Sequence, residues 1–157
     1  MAEERDPFKI VYRLLFIVMA TVEKFEDLEI WQLARELASK IFRLSQKEPL
    51  SKDYKLKDQM NSAAGSVMDN IAEGFGRASR LEFVQFLSIS NGSVTELKSQ
   101  MYRCLDKNYI NKDEFDELYE LADKVFRKIH SMMNYLNQSN LKGQKFKNRI
   151  DPNNDKR

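Results

Sequence analysis

Four stretches of this chain repeat apolar side chains at steps of three and four, and the links between them are short. The first runs from about Asp27 to Gln46, with Ile30, Ala34, Leu37, Ile41 and Leu44 on one stripe and Trp31, Ala38 and Phe42 beside it. In the second, Leu56, Met60, Ala63, Val67 and Ile71 recur; in the third, Val84, Leu87, Val94, Leu97, Met101 and Leu105. Phe115, Leu118, Ala122, Val125, Ile129, Met132 and Leu136 mark the fourth. Each pattern is that of an amphipathic helix. Short links force successive helices to run antiparallel, and four such helices bury their stripes together by closing on one another. The predicted fold is all-α, an antiparallel up-down-up-down four-helix bundle.

Punctuation between the stretches agrees with that reading. Pro49 breaks the first pattern, and Ser51 or Asp53 can cap the second helix, which Gly74 and Gly76 are expected to stop. Ser79 with Glu82, and Asn111 with Glu114, have the spacing of capping boxes at the starts of the third and fourth helices. The third helix is expected to reach about Lys107, a length of roughly 40 Å, with Asn108 ending it. Acidic residues lead the fourth helix and basic ones follow, the order that the helix dipole favours.

At 157 residues the chain fits one domain, and 5 Gly and 3 Pro are too few for many strand turns. Residues 25–138 are expected to form the bundle, 1–24 an N-terminal extension that can include a short helix, and 139–157 a basic, disordered tail. The apolar run Phe8 to Val22 is interrupted by Lys9 and Arg13 and falls short of the ~20 residues that span a bilayer. No membrane partner is expected. A lone Cys104 rules out an internal disulfide and suits the cytoplasm. With 26 basic and 24 acidic residues the net charge is +2, so any polyanion must be met by a local surface.

Catalysis finds little footing. A di-iron site in a bundle needs Glu-x-x-His pairs, but His130 is the one histidine and Arg127 stands three residues before it. No zinc spacing, nucleophile elbow or phosphate-cradling glycine loop occurs. Glu73 and Glu96 are better read as satisfying helix-end amides, or as bonding across the second and third helices, than as an acid/base pair. The run Ser88, Ser90, Asn91, Gly92, Ser93 weakens helix propensity and permits close backbone approach, within the bundle or between subunits. The chain is expected not to be an enzyme and to need no metal or cofactor.

The segment Asn70-Ile71-Ala72-Glu73-Gly74, then Arg77, Glu82-Phe83, Phe86-Leu87, Gly92-Ser93 and Glu96, forms an ordered set over two helices. With Phe25, Leu28, Trp31 and Ala34 before it, and Gln59, Ala63, Ala64 and Ser66 leading into it, the set resembles the 23S rRNA intervening-sequence protein family over about Phe25 to Leu136. The resemblance implies a homo-oligomer, typically a pentamer, without catalysis, and gives Asn70, Glu73, Gly74, Gly92, Ser93 and Glu96 structural roles. A related branch resembles the accessory variability protein of diversity-generating retroelements, which binds a reverse transcriptase and nucleic acid. The expected function is therefore a homo-oligomeric bundle that binds RNA, DNA or a nucleic-acid-processing protein, with Arg77, Arg80, Lys98 and Arg103 as candidate phosphate contacts. Asn61 and Ser62 stand where family members often carry basic residues. That loss of charge favours the alternative, a protein-only assembly module.

Overall fold

The computed structural model describes residues 22–138, so the expected extension and tail lie outside these residues apart from Val22 to Lys24. Four helices follow in order: α1 (Glu29–Ser45), α2 (Tyr54–Gly76), α3 (Arg80–Asp106) and α4 (Lys112–Gln138). Short 3-10 turns at Phe25–Asp27 and Leu50–Lys52 precede α1 and α2. Contacts fix the directions. Ser66 meets Ser93 while Gln59 meets Arg103, and Lys98 meets Asp123 while Arg80 meets the end of α4. Lys40 with Glu117 and Lys128 with Glu29 set α1 against α4 in the same antiparallel sense. The fold is the expected four-helix bundle, closest along the α2–α3 seam and most open between α1 and α4.

The stripes of the sequence line the core. Ile30, Ala34, Leu37 and Ile41 of α1, Leu56, Met60, Val67 and Ile71 of α2, Leu87, Val94, Leu97 and Met101 of α3, and Phe115, Val125 and Ile129 of α4 are all buried. Phe42 departs from the pattern, being 57% exposed, and Val84 and Leu105 of the expected third stripe are only partly buried, while their neighbours Phe83 and Cys104 are fully buried.

Local chemistry explains the helix ends. Asp53, and not Ser51, caps α2, its carboxylate accepting from the Leu56 amide at 3.1 Å. The Ser79 hydroxyl accepts from the Glu82 amide, and Asn111 with Glu114 completes a capping box in both directions at 2.9 and 3.1 Å. α1 starts two residues later than expected, because Leu28 is extended and buried while Phe25–Asp27 turns so that the Phe25 ring meets Trp31 edge-on.

The end of α2 corrects the expected glycine stop. Gly74 lies inside the helix and Gly76 is its last residue, while the left-handed backbone falls on Ala78, at φ 56°. α3 ends at Asp106, and Asn108, expected to end it, carries the left-handed backbone two residues on, also at φ 56°. There the Asn108 amide bonds to the Leu105 carbonyl and the Tyr109 amide to that of Cys104, which satisfies two carbonyls of the last turn.

Candidate interaction surface

The set of residues that marks the second and third helices folds into one seam. Ser90 donates to the Val67 carbonyl at 2.9 Å, and the Ser66 and Ser93 hydroxyls meet at 2.8 Å. Asn70 holds that pair in place by donating to the Ser66 carbonyl and hydroxyl at 2.7 and 3.0 Å. Hydroxyls packed this closely between two helices let the backbones approach, and their mutual bonding avoids the cost of an unpaired buried polar group.

Four glycines divide on a geometric test. A Cβ at Gly74 would lie 2.6 Å from Phe86 Cβ and 3.0 Å from Phe83 Cδ2, so the bundle itself demands glycine there. At Gly76, the last residue of α2, a Cβ would meet nothing within 4 Å, and the same holds inside the helices at Gly65 and Gly92. These two sit beside the Ser66–Ser93 bond, at one height on neighbouring helices. A glycine inside a helix costs about 1 kcal/mol relative to alanine, and nothing in the protomer repays that cost. Around Gly92 the outward face of α3 presents Ser88, Thr95 and Ser99, with Leu81 and Ile89 exposed at 63% and 53%. The close approach expected of this run is thus carried inward by Ser90 and Ser93, whereas Gly92 faces outward.

Glu73 and Glu96 do not bridge helices. Glu73 pairs with Arg77 one turn on, at 2.6 Å, and Glu96 accepts from Gln100 at 3.1 Å. Asn61 ties α2 to α1 by donating to the Ser45 hydroxyl at 3.0 Å, and Ser62 is exposed.

Each candidate phosphate contact has an internal task. Arg77 also lies over the Phe86 ring, and Arg80 donates to the Leu136 carbonyl at 2.7 Å, closing the end of α4. Lys98, mostly covered, pairs with Asp123 at 2.9 Å and sits 4.4 Å from the Tyr119 ring centroid. Arg103 donates to Gln59 at 3.0 Å. Arg80 and Arg103 stand about 35 Å apart along α3, and Lys98 faces α4 while Arg103 faces α2. The four do not form one patch.

Residues 22–138 hold 17 basic and 19 acidic side chains, whereas 139–157 hold six basic and two acidic ones. The chain's positive balance therefore belongs to its tail. Of the four helices, α1 alone has more basic than acidic residues. Its outward row Arg35, Ser39, Arg43 was missed in the sequence, although the spacing of four was visible there.

Among the described residues no group of three or more His, Cys, Asp or Glu side chains could hold a metal ion. Cys104 is buried with its Sγ 3.3 Å from the Met60 sulfur, and burial pushes its thiol pKa up to about 11. His130 is exposed and stacks parallel to Phe126. No described helix is long and apolar enough to cross a membrane.

A solved structure from Bacteroides thetaiotaomicron, of a protein with unknown function from the S23 ribosomal protein family, is similar to this chain with a TM-score of 0.61. It shares 18% identity and the likeness covers 66% of this chain and 97% of that one, which shows a common fold. No curated protein matches the chain. The family model for the 23S rRNA-intervening sequence protein matches residues 26–131, the whole bundle but for the last turns of α4. The chain belongs to the 23S rRNA-intervening sequence protein family.

Proposed function

We propose that this protein is a non-catalytic assembly module that joins copies of itself through the outward face of α2 and α3 and presents the assembled surface to nucleic acid or to a nucleic-acid-processing protein. The observation that carries the reading is the pair Gly65 and Gly92, whose small size the protomer does not need. A helix of a neighbouring copy can approach closely there, with Leu81 and Ile89 supplying apolar area. A pentamer, the number that the family resemblance suggests, is one closed form of such repeated contact. The nucleic-acid part leans on the family's name and on the resemblance to the accessory variability protein. The absence of catalysis is supported by the ordinary packing roles of Glu73, Glu96 and Cys104.

Sedimentation velocity on the full chain and on Gly92→Glu tests the assembly. An oligomer that the variant dissociates is expected, and a strictly monomeric wild type defeats the proposal. A protein-only module is the second reading, favoured by the internal tasks of Arg77, Arg80, Lys98 and Arg103. It would hold if assembly persists and no nucleic acid binds at low salt.

A further inference from the structure

We infer that the outward face of α1 is a binding site for single-stranded nucleic acid, with Arg35, Arg43 and Lys47 contacting phosphates and Phe42 stacking on a base. This rests on the nucleic-acid part of the function proposed above and assigns it to a surface that the four expected residues do not occupy.

The argument begins with charge left over. Most cations near a seam have a carboxylate partner: Lys98 has Asp123, Lys107 has Asp53 and Lys128 has Glu29. Arg35 and Arg43 are exposed and have no ion pair among the described residues; Arg35 lies over the Trp31 ring. They stand eight residues apart, about 12 Å along one side of α1, with the exposed hydroxyl of Ser39 between them. One step further on the same row, Lys47 reaches Glu114 only at 3.9 Å, a loose contact that a phosphate can replace.

The shape is suited to a strand. A groove of about 430 Å³ runs along α1 past Arg35, Ser39 and Arg43. From Lys40 and Arg43 a second groove of about 210 Å³ continues to Lys47 against α4. Lys40 and Arg43 line both, so the two adjoin along one path. Glu36, Glu114 and Glu117 also line it. Glu117 is already matched by Lys40, which leaves Glu36, and Glu114 once a phosphate takes Lys47, as the unmatched carboxylates.

Phe42 supplies the second, independent observation. It belongs to the helical pattern of α1 yet is 57% exposed, one residue from Arg43 and one turn from Ser39, beside the grooves and not in their lining. An exposed aromatic ring among unpaired cations is the combination by which proteins hold unpaired strands without reading their sequence. A duplex keeps its bases stacked on one another and has no use for the ring, so the site selects single strands.

The test is fluorescence anisotropy of the full chain with a labelled uridine oligonucleotide, the matching deoxy strand and a duplex, at about 50 and 200 mM salt. Wild type is expected to bind both single strands more tightly than the duplex. The double variant R35E/R43E should lose at least about tenfold in affinity. Its salt slope should fall by about 1.4, two contacts at about 0.7 each. Phe42→Ala should weaken single-strand binding by about fivefold or more, and Glu36→Gln should strengthen it. Lys55→Glu and Lys124→Glu, which reverse exposed cations elsewhere, should bind as wild type does. Circular dichroism and sedimentation check that each variant keeps its fold and assembly. If wild type binds and R35E/R43E binds equally well, or the Lys55 and Lys124 variants lose as much, the α1 site is wrong while the proposed function stands. Equal duplex affinity with a silent Phe42→Ala overturns the single-strand assignment. A wild type that binds none of the three at low salt removes the nucleic-acid reading and this site together.

Discussion

The Ser66 and Ser93 hydroxyls meet at 2.8 Å in the middle of the α2–α3 seam, and the glycine preceding each serine lies beside that contact. One polar bond thus marks where the two helices approach closely and where their outer surface is smooth. The inward half of the arrangement holds the protomer together; the outward half is spare until another molecule covers it.

Glycine replacement separates these halves. Gly74→Ala puts a methyl group 2.6 Å from Phe86 Cβ and should destabilise the bundle by about 1–3 kcal/mol. Gly92→Ala meets no neighbour, so the protomer should gain up to about 1 kcal/mol from helix propensity. The same methyl groups on every copy should weaken assembly. Urea unfolding at matched protein concentration, with sedimentation alongside, reads both effects. Opposite signs are required at a protein concentration low enough for sedimentation to show monomer, where assembly no longer adds to the curve; a loss of protomer stability in both would refute the division.

Ala78 supplies a test with no contact involved. At φ 56° its Cβ crowds the backbone at a cost of about 1 kcal/mol, which glycine would avoid. Ala78→Gly should therefore raise the urea midpoint despite the added freedom of the unfolded chain, with a net gain of about 0.5 kcal/mol. An unchanged or lower midpoint would mean that the three-residue turn pays nothing for this geometry.

These positions show what was readable in the sequence. The helices and most of their buried stripes follow from apolar spacing, and Ser79, Asn108 and Asn111 announce their ends through side chains suited to caps. Gly74 was misread as a stop because glycine serves equally for a turn and for close packing, and only the position of Phe86 decides between them. Ala78 carries no signal, since alanine rarely adopts the left-handed φ that it takes in this three-residue link. Charge was the least legible. A basic residue looks the same in sequence whether its partner is solvent, Asp123 or the Leu136 carbonyl, so Lys98 and Arg80 looked available while Arg35 and Arg43 passed unnoticed.

Cys104 reports on opening of the core. Its thiol is fully buried against Met60, and burial raises its pKa to about 11, so both access and thiolate are lacking at pH near 8. Native protein should leave a disulfide reagent almost unreacted and react fully in denaturant. Labelling rates should track urea-dependent unfolding, and rapid labelling of folded protein at neutral pH would contradict the packing at Met60.

Acid sensitivity follows from three carboxylates. A hydrogen bond from Lys107, with the Leu56 amide helping, holds Asp53 below the ordinary carboxylate range. Lys40 does the same for Glu117, and Lys98 for Asp123. Each group binds its proton less readily when folded than when unfolded, so its contribution is complete above the unfolded pKa of about 4. As pH falls from there through the depressed folded values, the unfolded chain takes up protons first and the contribution is lost. The bases of two of these pairs, Lys107 and Lys40, are raised in turn by hydrogen bonds to Asp53 and Glu117, which places the opposite edge above the ordinary lysine range. The urea midpoint should therefore hold steady near neutrality and fall below about pH 4. Asp53→Asn isolates one part of that fall, since asparagine still caps α2 but carries no charge for Lys107. Its midpoint should be lower than wild type at pH 7 and approach wild type as both are acidified. Curves that stay parallel down to pH about 2 would show that the Asp53 charge contributes nothing to the fold.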